Sequence, residues 1–287
     1  TVGICEQLED PKQAKGIVKR GMIQIVSSGT VFNNEFLNEK ENNYIGSVID
    51  FNYAYGITYS DITTGEIYTF ILEHNPTKLI SEIVSIGIKE VIINDKFDKN
   101  IYSILKNNFK VNVSIYNDII DLPQYNYIYE EITDTRVIET MKYLLTYINS
   151  TQFRNLDHLQ KAIIKENKAY LKMDIHTKRN LELTETLRLK QRNHSLIWLL
   201  DKTKTAMGSR MLKQFIENPL INKEEINRRY DCIEKLLEEF LLTGDLQKCL
   251  LEVYDLERLS GRIAFGSANA RDLLQLKSSL KVIPQIK

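Results

Sequence analysis

Near residue 134 the apolar spacing of this 287-residue chain changes from that of strands to that of helices, so two different kinds of core are needed. Tyr44–Phe51, Gly56–Ile62 and Glu66–Leu72 are β-branched and aromatic runs split by short turns, one of them Thr63-Thr64-Gly65. That spacing predicts a three-stranded antiparallel meander. Leu79, Ile80, Ile83 and Val84, opened by Pro76-Thr77 and closed near Gly87, predict a helix. Lys89–Asn94 reads as a short buried strand, Ile101, Ile104 and Leu105 as a second helix, and Val111–Tyr116 as a last strand. The order βββαβαβ requires crossover helices between its later strands.

From Asp134 onward the texture is helical. Asp134 can cap a helix with Val137, Met141, Leu144 and Ile148 on one face. Asp174 can cap the helix carrying Arg179–Leu183, and Thr184–Leu200 continues in helical period to Trp198 and Leu199. Asn222 and Glu225 make a capping-box-like pair ahead of Ile226, Tyr230, Ile233 and Leu237. Leu246, Leu250, Val253, Leu256, Leu259 and Ile263 form one long apolar stripe, and Asn269 opens a final helix with Leu273, Leu276 and Leu280. At the front, Val2–Gln7 and Met22–Ser27 read as two strands, too few for a core of their own. The fold expected is multidomain α/β plus all-α. The βββαβαβ order is that of the ribonuclease H-like fold, here followed by a helical domain. The expected divisions are 1–30, the remnant of a domain; 31–43, a polar linker; 44–133, the ribonuclease H-like domain; and 134–287, the helical domain.

Composition removes several functions. No apolar run approaches the ~20 residues that cross a bilayer, so a membrane-spanning role is not expected. Lysine plus arginine equal aspartate plus glutamate, 38 against 38, whereas strong nucleic-acid binders carry a basic excess. Any DNA contact must come from a local patch. Cys5, Cys232 and Cys249 are too dispersed for a ligand set and read as free thiols in a reducing, cytoplasmic setting. His74, His158, His176 and His194 show no metal-binding spacing.

Four segments carry a family signature. They are Asp201-Lys-Thr-Lys-Thr-Ala-Met-Gly-Ser-Arg-Met-Leu-Lys-Gln-Phe-Ile-Glu-Asn-Pro-Leu220, Ile4-Cys-Glu-Gln-Leu-Glu-Asp-Pro-Lys12, Arg179-Asn-Leu-Glu-Leu-Thr184 and Asp255-Leu-Glu-Arg-Leu-Ser-Gly-Arg262. In this order and at these separations the chain resembles the MutS family of DNA mismatch-repair proteins. The resemblance covers nearly the whole chain and implies an internal piece: the end of the mismatch-binding domain, the connector domain and part of the lever domain. It implies a parent that binds mismatched double-stranded DNA as a homodimer, binds ATP with Mg²⁺ as a DNA-dependent ATPase, and recruits MutL through the connector. This chain carries no Gly-x-x-x-x-Gly-Lys-Ser/Thr phosphate loop, and the family's Phe-x-Glu wedge is expected upstream of Thr1. No catalytic, cofactor or metal residue is therefore expected here. The 117–134 segment is shorter than the family's usual connector, so no MutL-contacting residue is carried over.

Four groups of residues invite functional readings. Lys12, Lys15, Lys19 and Arg20 cluster in a loop and at a strand edge, a candidate phosphate-contacting patch against a solvated loop. Asp50, Asp61 and Asp95 are the carboxylates a ribonuclease H-like nuclease would need, but the helices offer only Lys78, Ser81, Lys99 and Ser103 where further ligands are wanted. A metal-dependent nuclease is thus the alternative, and a stand-alone interaction module a third reading. In the Asp201–Leu220 corner, Gly208 permits close helix approach and Met211, Leu212, Phe215 and Ile216 can pack; Lys202, Lys204, Arg210 and Lys213 are expected on a solvated face, with a DNA-facing one the alternative. Asp255, Arg258 and Arg262 are spaced for intrahelical or interhelical ion pairs.

Overall fold

Strands β1 (Val2–Gln7) and β2 (Arg20–Val26) pair antiparallel with one register shift, between Ile4 and Cys5. They open a computed structural model that describes residues 1–10, 16–32, 37–153, 156–165 and 170–287. The chain forms two compact units. Thr1–Leu37 and Asn43–Lys165 make the first, and Asn38–Asn42 and Glu166–Lys287 the second.

The meander of the first unit is β3 (Tyr44–Asp50), β4 (Ala54–Asp61) and β5 (Glu66–Glu73). Strands β6 (Glu90–Ile93) and β7 (Asn112–Ile115) extend it beyond β3, both parallel to their neighbours. A two-residue strand, β8 (Ile163–Ile164), runs parallel to β5 and was not signalled by sequence. The order is β7-β6-β3-β4-β5-β8. Helices α1 (Pro76–Ile86) and α2 (Lys99–Asn107) are the crossovers. Asn75 caps α1 by accepting from the Lys78 N–H, and Asp98 caps α2 by accepting from those of Asn100 and Ile101.

Strand alternation gives the sheet two unlike faces. Tyr44, Val48, Tyr55, Ile57, Tyr59, Phe70, Leu72, Val91 and Ile93 pack with Leu79 and Ile83 of α1 and Ile101 and Leu105 of α2. Several of the opposite positions are small or polar: Ser47 faces Thr58 across β3–β4, Thr58 faces Thr69 across β4–β5, and Gly56 faces Ile49. Onto this face lies α3 (Thr135–Gln152), capped by Asp134 and packed against β2, β3, β4 and β5. A Cβ on Gly56 would come within 2.2 Å of Thr140 Oγ1, and Ser47 Oγ donates to the Thr140 carbonyl at 3.0 Å. Small strand residues let the helix backbone approach closely. This shifts the expected domain boundary: α3 and β8 belong with the sheet, so the first unit ends at Lys165 rather than at 133.

In that unit His158 is half-buried, its Nε2–H donating to the Ile62 carbonyl at 2.6 Å, while Nδ1 is buried without a partner. Burial pushes its pKa below the ordinary histidine value, against the pull of the Ile62 carbonyl and of Asp157 and Asp61. A depressed folded pKa means that the folded unit binds fewer protons than the unfolded chain. Stability from neutral His158 is therefore complete above ~6.5 and declines as pH falls through the lower folded value. The protection of the Gln160 amide, which donates to the Gly65 carbonyl at 2.8 Å, relative to its intrinsic exchange rate should fall as pH drops from neutral to mildly acidic. His158→Gln keeps the donor and should flatten that dependence; an unchanged slope would exclude His158 as its source.

The second unit is helical: α4 (Ile175–Asn180), α5 (Leu196–Leu200), α6 (Ala206–Glu217), α7 (Lys223–Glu238), α8 (Phe240–Leu251), α9 (Leu256–Ala264) and α10 (Ala270–Ile286). Two expected continuous helices are broken. Between α4 and α5 the backbone turns through left-handed residues Glu182, Lys190 and His194, and the Leu196 and Ile197 N–H groups close the loop on the Glu182 and Leu183 carbonyls. The stripe from Leu246 to Ile263 bends between α8 and α9, where the Asp255 side chain caps α9 through the Arg258 N–H. Asp174, Asn222 and Asn269 cap α4, α7 and α10 as their positions predict, Asn269 in a full capping box with Asp272.

Candidate functional site

The three nuclease carboxylates do not converge. In the β3–β4 ladder Asp50 sits opposite Tyr55 and Asp61 opposite Tyr44, at the two ends of the pairing. Six residues at ~3.3 Å each separate them by roughly 20 Å, against ~4 Å between the ions of a two-metal site. The parallel β3–β6 register, with Ile45 beside Glu90, puts Asp95 at the Asp50 end. Asp50 there accepts from the Asn52 N–H at 2.7 Å and meets His74 Nε2 at 3.2 Å. Asp61 is spent on the turn, accepting from the Thr63 N–H, the Thr63 hydroxyl and the Asn43 N–H. The nuclease alternative is thereby disfavoured.

Of the basic cluster, Lys12 and Lys15 lie outside the described residues. Lys19 and Arg20 are exposed where β2 begins, Arg20 opposite Gln7. The Lys19 N–H donates to Glu9 Oε1 at 2.6 Å and its carbonyl accepts from the Leu8 N–H.

The most organised polar site is the Asp201–Leu220 corner. Asp201 follows α5 with its side chain only 3% exposed. It accepts from the Thr203 N–H and hydroxyl, from Ser209 Oγ at 2.8 Å, from Lys40 Nζ at 3.3 Å and from Arg192 Nη2. Burial alone would raise its pKa, but the bonds from Thr203, Ser209 and Lys40 prevail and hold the carboxyl well below the usual carboxylate range. The site can thus fix the turn between α5 and α6 in one geometry.

One turn into α6 lies Arg210, which is not on the solvated face expected for it: its side chain is 3% exposed. It forms a bidentate pair with Asp255 (2.7 and 2.8 Å), reaches Glu257 at 2.5 Å and donates to the Glu39 carbonyl at 2.9 Å. Burial works against its charge, yet Asp255 and then Glu257 raise its pKa above the ordinary arginine value. On α9, Arg258 is 2% exposed and donates to the Asn38 carbonyl at 3.0 Å and the Glu41 carbonyl at 2.6 Å. Arg262 pairs instead with Asp272 of α10 at 2.8 Å. The expected ion pairs therefore form between helices, and Arg258 serves main-chain oxygens.

Those oxygens belong to residues that sequence reading placed in the 31–43 linker. Asn38–Asn42 is part of the helical unit, and its Lys40 helps line, with Arg192, Trp198, Leu199, Asp201 and Lys202, a cavity of about 320 Å³. Composition gave no signal of this, because the contacts from Arg210 and Arg258 are to backbone. Among the described residues, no three His, Cys, Asp or Glu side chains are grouped to hold a metal ion, and no helix is long and apolar enough to cross a membrane.

Three family models match consecutive stretches: MutS domain I over residues 1–35, MutS domain II over 43–160 and MutS domain III over 176–287. DNA mismatch repair protein MutS of Bacillus velezensis is 46% identical over 286 residues, covering 100% of this chain and 33% of that relative. The Bacillus subtilis protein of the same name gives the same identity and coverage, and that of Bacillus cereus is 42% identical over 287 residues. The chain spans about a third of the length of these curated relatives, 32% to 33%.

Proposed function

This chain belongs to the MutS family of DNA mismatch-repair proteins, and from that membership we propose that it couples mismatch binding to the rest of a longer mismatch-repair protein. The observation that carries this is the ordered run of three domain matches, with a helical unit whose buried charges fix the corner between α5, α6 and α9. In this reading the sheet unit is a ribonuclease H-like connector used without catalysis. Its strand order, with an antiparallel meander flanked by two parallel strands on the β3 side, supports that assignment. The helical unit is part of the lever, rigid enough at the Asp201 and Arg210 clusters to transmit displacement.

The longer protein would bind mismatched double-stranded DNA as a homodimer in the cytoplasm, hydrolyse ATP with Mg²⁺, and engage MutL through the connector. Lys12, Lys15, Lys19 and Arg20 would contact DNA phosphates. No ATP step is assigned to this chain, since its sequence contains no Gly-x-x-x-x-Gly-Lys-Ser/Thr phosphate loop.

A chimera tests the reading. The 286 matched residues of Bacillus subtilis MutS are replaced by this chain, and spontaneous mutation frequency is measured in a strain lacking MutS. Mutation frequency should fall toward that of the parent strain. A well-expressed, dimeric chimera that leaves the frequency at the deletion level would overturn the proposal.

A further inference from the structure

The contacts that fix the turn at Asp201 leave the cavity beside it with charge to spare. That cavity lies wholly within the helical unit, and its lining of Lys40, Arg192, Trp198, Leu199, Asp201 and Lys202 sets three cations against one carboxylate. The charges are not equally covered. The Asp201 side chain is 3% exposed, whereas those of Arg192 and Lys40 are 25% and 52% exposed. Lys40 Nζ and Arg192 Nη2 converge on the same atom, Asp201 Oδ2, which holds them within about 6 Å of each other. Donors remain as well. Among the described residues, Arg192 spends only its Nη2, on Asp201 and Ser209, and Lys40 spends one of the three N–H groups of an ammonium.

We propose that this cavity binds a nucleotide, with a phosphate between Lys40, Arg192 and Lys202 and the base against Trp198. A phosphate group supplies the missing negative charge and offers acceptors to several donors at once. The closely set Lys40 and Arg192 charges repel each other less once it bridges them. Asp201 holds these two cations in place before the ligand arrives, so little side-chain freedom is lost on binding. The indole accounts for the rest of the ligand. Trp198 is 45% exposed at the cavity, and an aromatic face accepts any base by stacking. None of the lining residues carries a side-chain amide to read a base edge, so preference among bases should be slight. At about 320 Å³ the space is at the small end of the ~300–1,000 Å³ of ligand sites, a match for one nucleotide rather than several. The site requires nothing of the coupling role proposed for the chain.

Trp198 is the chain's single tryptophan, so its fluorescence reports this cavity alone. Thymidine monophosphate and oligothymidylate present the same chemistry from two sources, a free nucleotide and one unit of a single strand. At constant ionic strength, at least one of them should quench Trp198 saturably, with a dissociation constant below about 1 mM. Quenching by the monophosphate marks the free nucleotide as ligand, and quenching by the oligomer alone marks the strand. Thymidine and inorganic phosphate, each offering half of the ligand, should bind at least about tenfold more weakly. Lys202→Glu should weaken the nucleotide at least about tenfold, whereas Lys204→Glu, in the same turn but outside the cavity, should change it less than about threefold. Both positions are exposed, so neither substitution should move the urea midpoint. If Lys202→Glu does, Lys202→Gln takes its place. The proposal is overturned if neither nucleotide source quenches saturably, if quenching survives at full strength without the Lys202 charge, or if inorganic phosphate binds as tightly as the nucleotide.

Discussion

Arg210→Ala is expected to cost the helical unit about 3 kcal/mol or more, because it removes a buried guanidinium and strips the partner from two partly buried carboxylates. Arg210 is 3% exposed, Asp255 is 18% exposed, and their two bonds of 2.7 and 2.8 Å are the geometry in which breaking one side hurts most. The same substitution frees the Glu39 carbonyl and leaves a cavity where the side chain packed. Trp198, the chain's single tryptophan, lies on α5 and reports unfolding of this unit. Its urea midpoint should fall by about 1–2 M for a loss of that size. Arg210→Lys should fall between, since charge is kept and the fork is lost. Asp255→Asn should be milder than Arg210→Ala, because asparagine still caps α9. Glu257→Ala should be milder still: its carboxylate is 37% exposed, and exposed pairs contribute about 0–1 kcal/mol. A midpoint for Arg210→Ala within about 0.3 M of the unaltered chain would show that Asp255 is solvated or rescued from elsewhere, and the reading of this corner as fixed by its buried charges would fall with it.

How legible this corner was shows where sequence reasoning works. Helix starts were read correctly at Asp134, Asp174, Asn222 and Asn269, because a cap is a local bond between a side chain and an N–H two or three residues on. The meander was equally readable, its strands carrying two unlike faces at period two. Destination was not readable. The predicted face of α3, Val137, Met141, Leu144 and Ile148, is buried, but so are Thr140, Tyr143 and Tyr147 around it. An apolar stripe says that a helix is covered without saying by what. The answer lay in the strands, where Ser47, Gly56, Thr58 and Thr69 leave room for α3 on one face. The place of Asn38–Asn42 in the helical unit was invisible for a stricter reason: a carbonyl oxygen is common to every residue, so the bonds from Arg210 and Arg258 leave no mark on the residues that accept them. The mark was on the arginines: Arg258, regularly spaced with carboxylates, read as helix pairing, and Arg210, among lysines, read as a solvated face.

Glu90→Ala should be the most damaging polar substitution in the sheet unit, again by about 3 kcal/mol, through donors left unmet in a buried site. Glu90, the first residue of β6, is 0% exposed. One oxygen accepts from Ser114 Oγ of β7 at 2.6 Å and Tyr147 OH of α3 at 2.9 Å. The other accepts from Ser27 Oγ and from the Gly29 N–H at 3.0 Å. Four segments thus meet on one carboxylate: the turn after β2, strands β6 and β7, and α3. Gly29 is required for the approach, since a Cβ there would sit 2.8 Å from that of Ile45 and 3.0 Å from that of Glu90. The Tyr147 hydroxyl is held well above its ordinary pKa, first by burial and then by the Glu90 charge, so it remains a donor throughout the working pH range. Glu90→Gln keeps one acceptor but turns an NH₂ toward two donors, and should cost roughly half as much. Hydrogen exchange separates a hub from a local clasp. If Glu90 joins the four segments, Glu90→Ala raises exchange at Gly29, across the β6–β7 ladder and along the Tyr147 turn of α3 together. If only Gly29 loses protection while the β6–β7 amides keep theirs, the carboxylate merely pins the turn after β2, and the sheet and α3 stand without it.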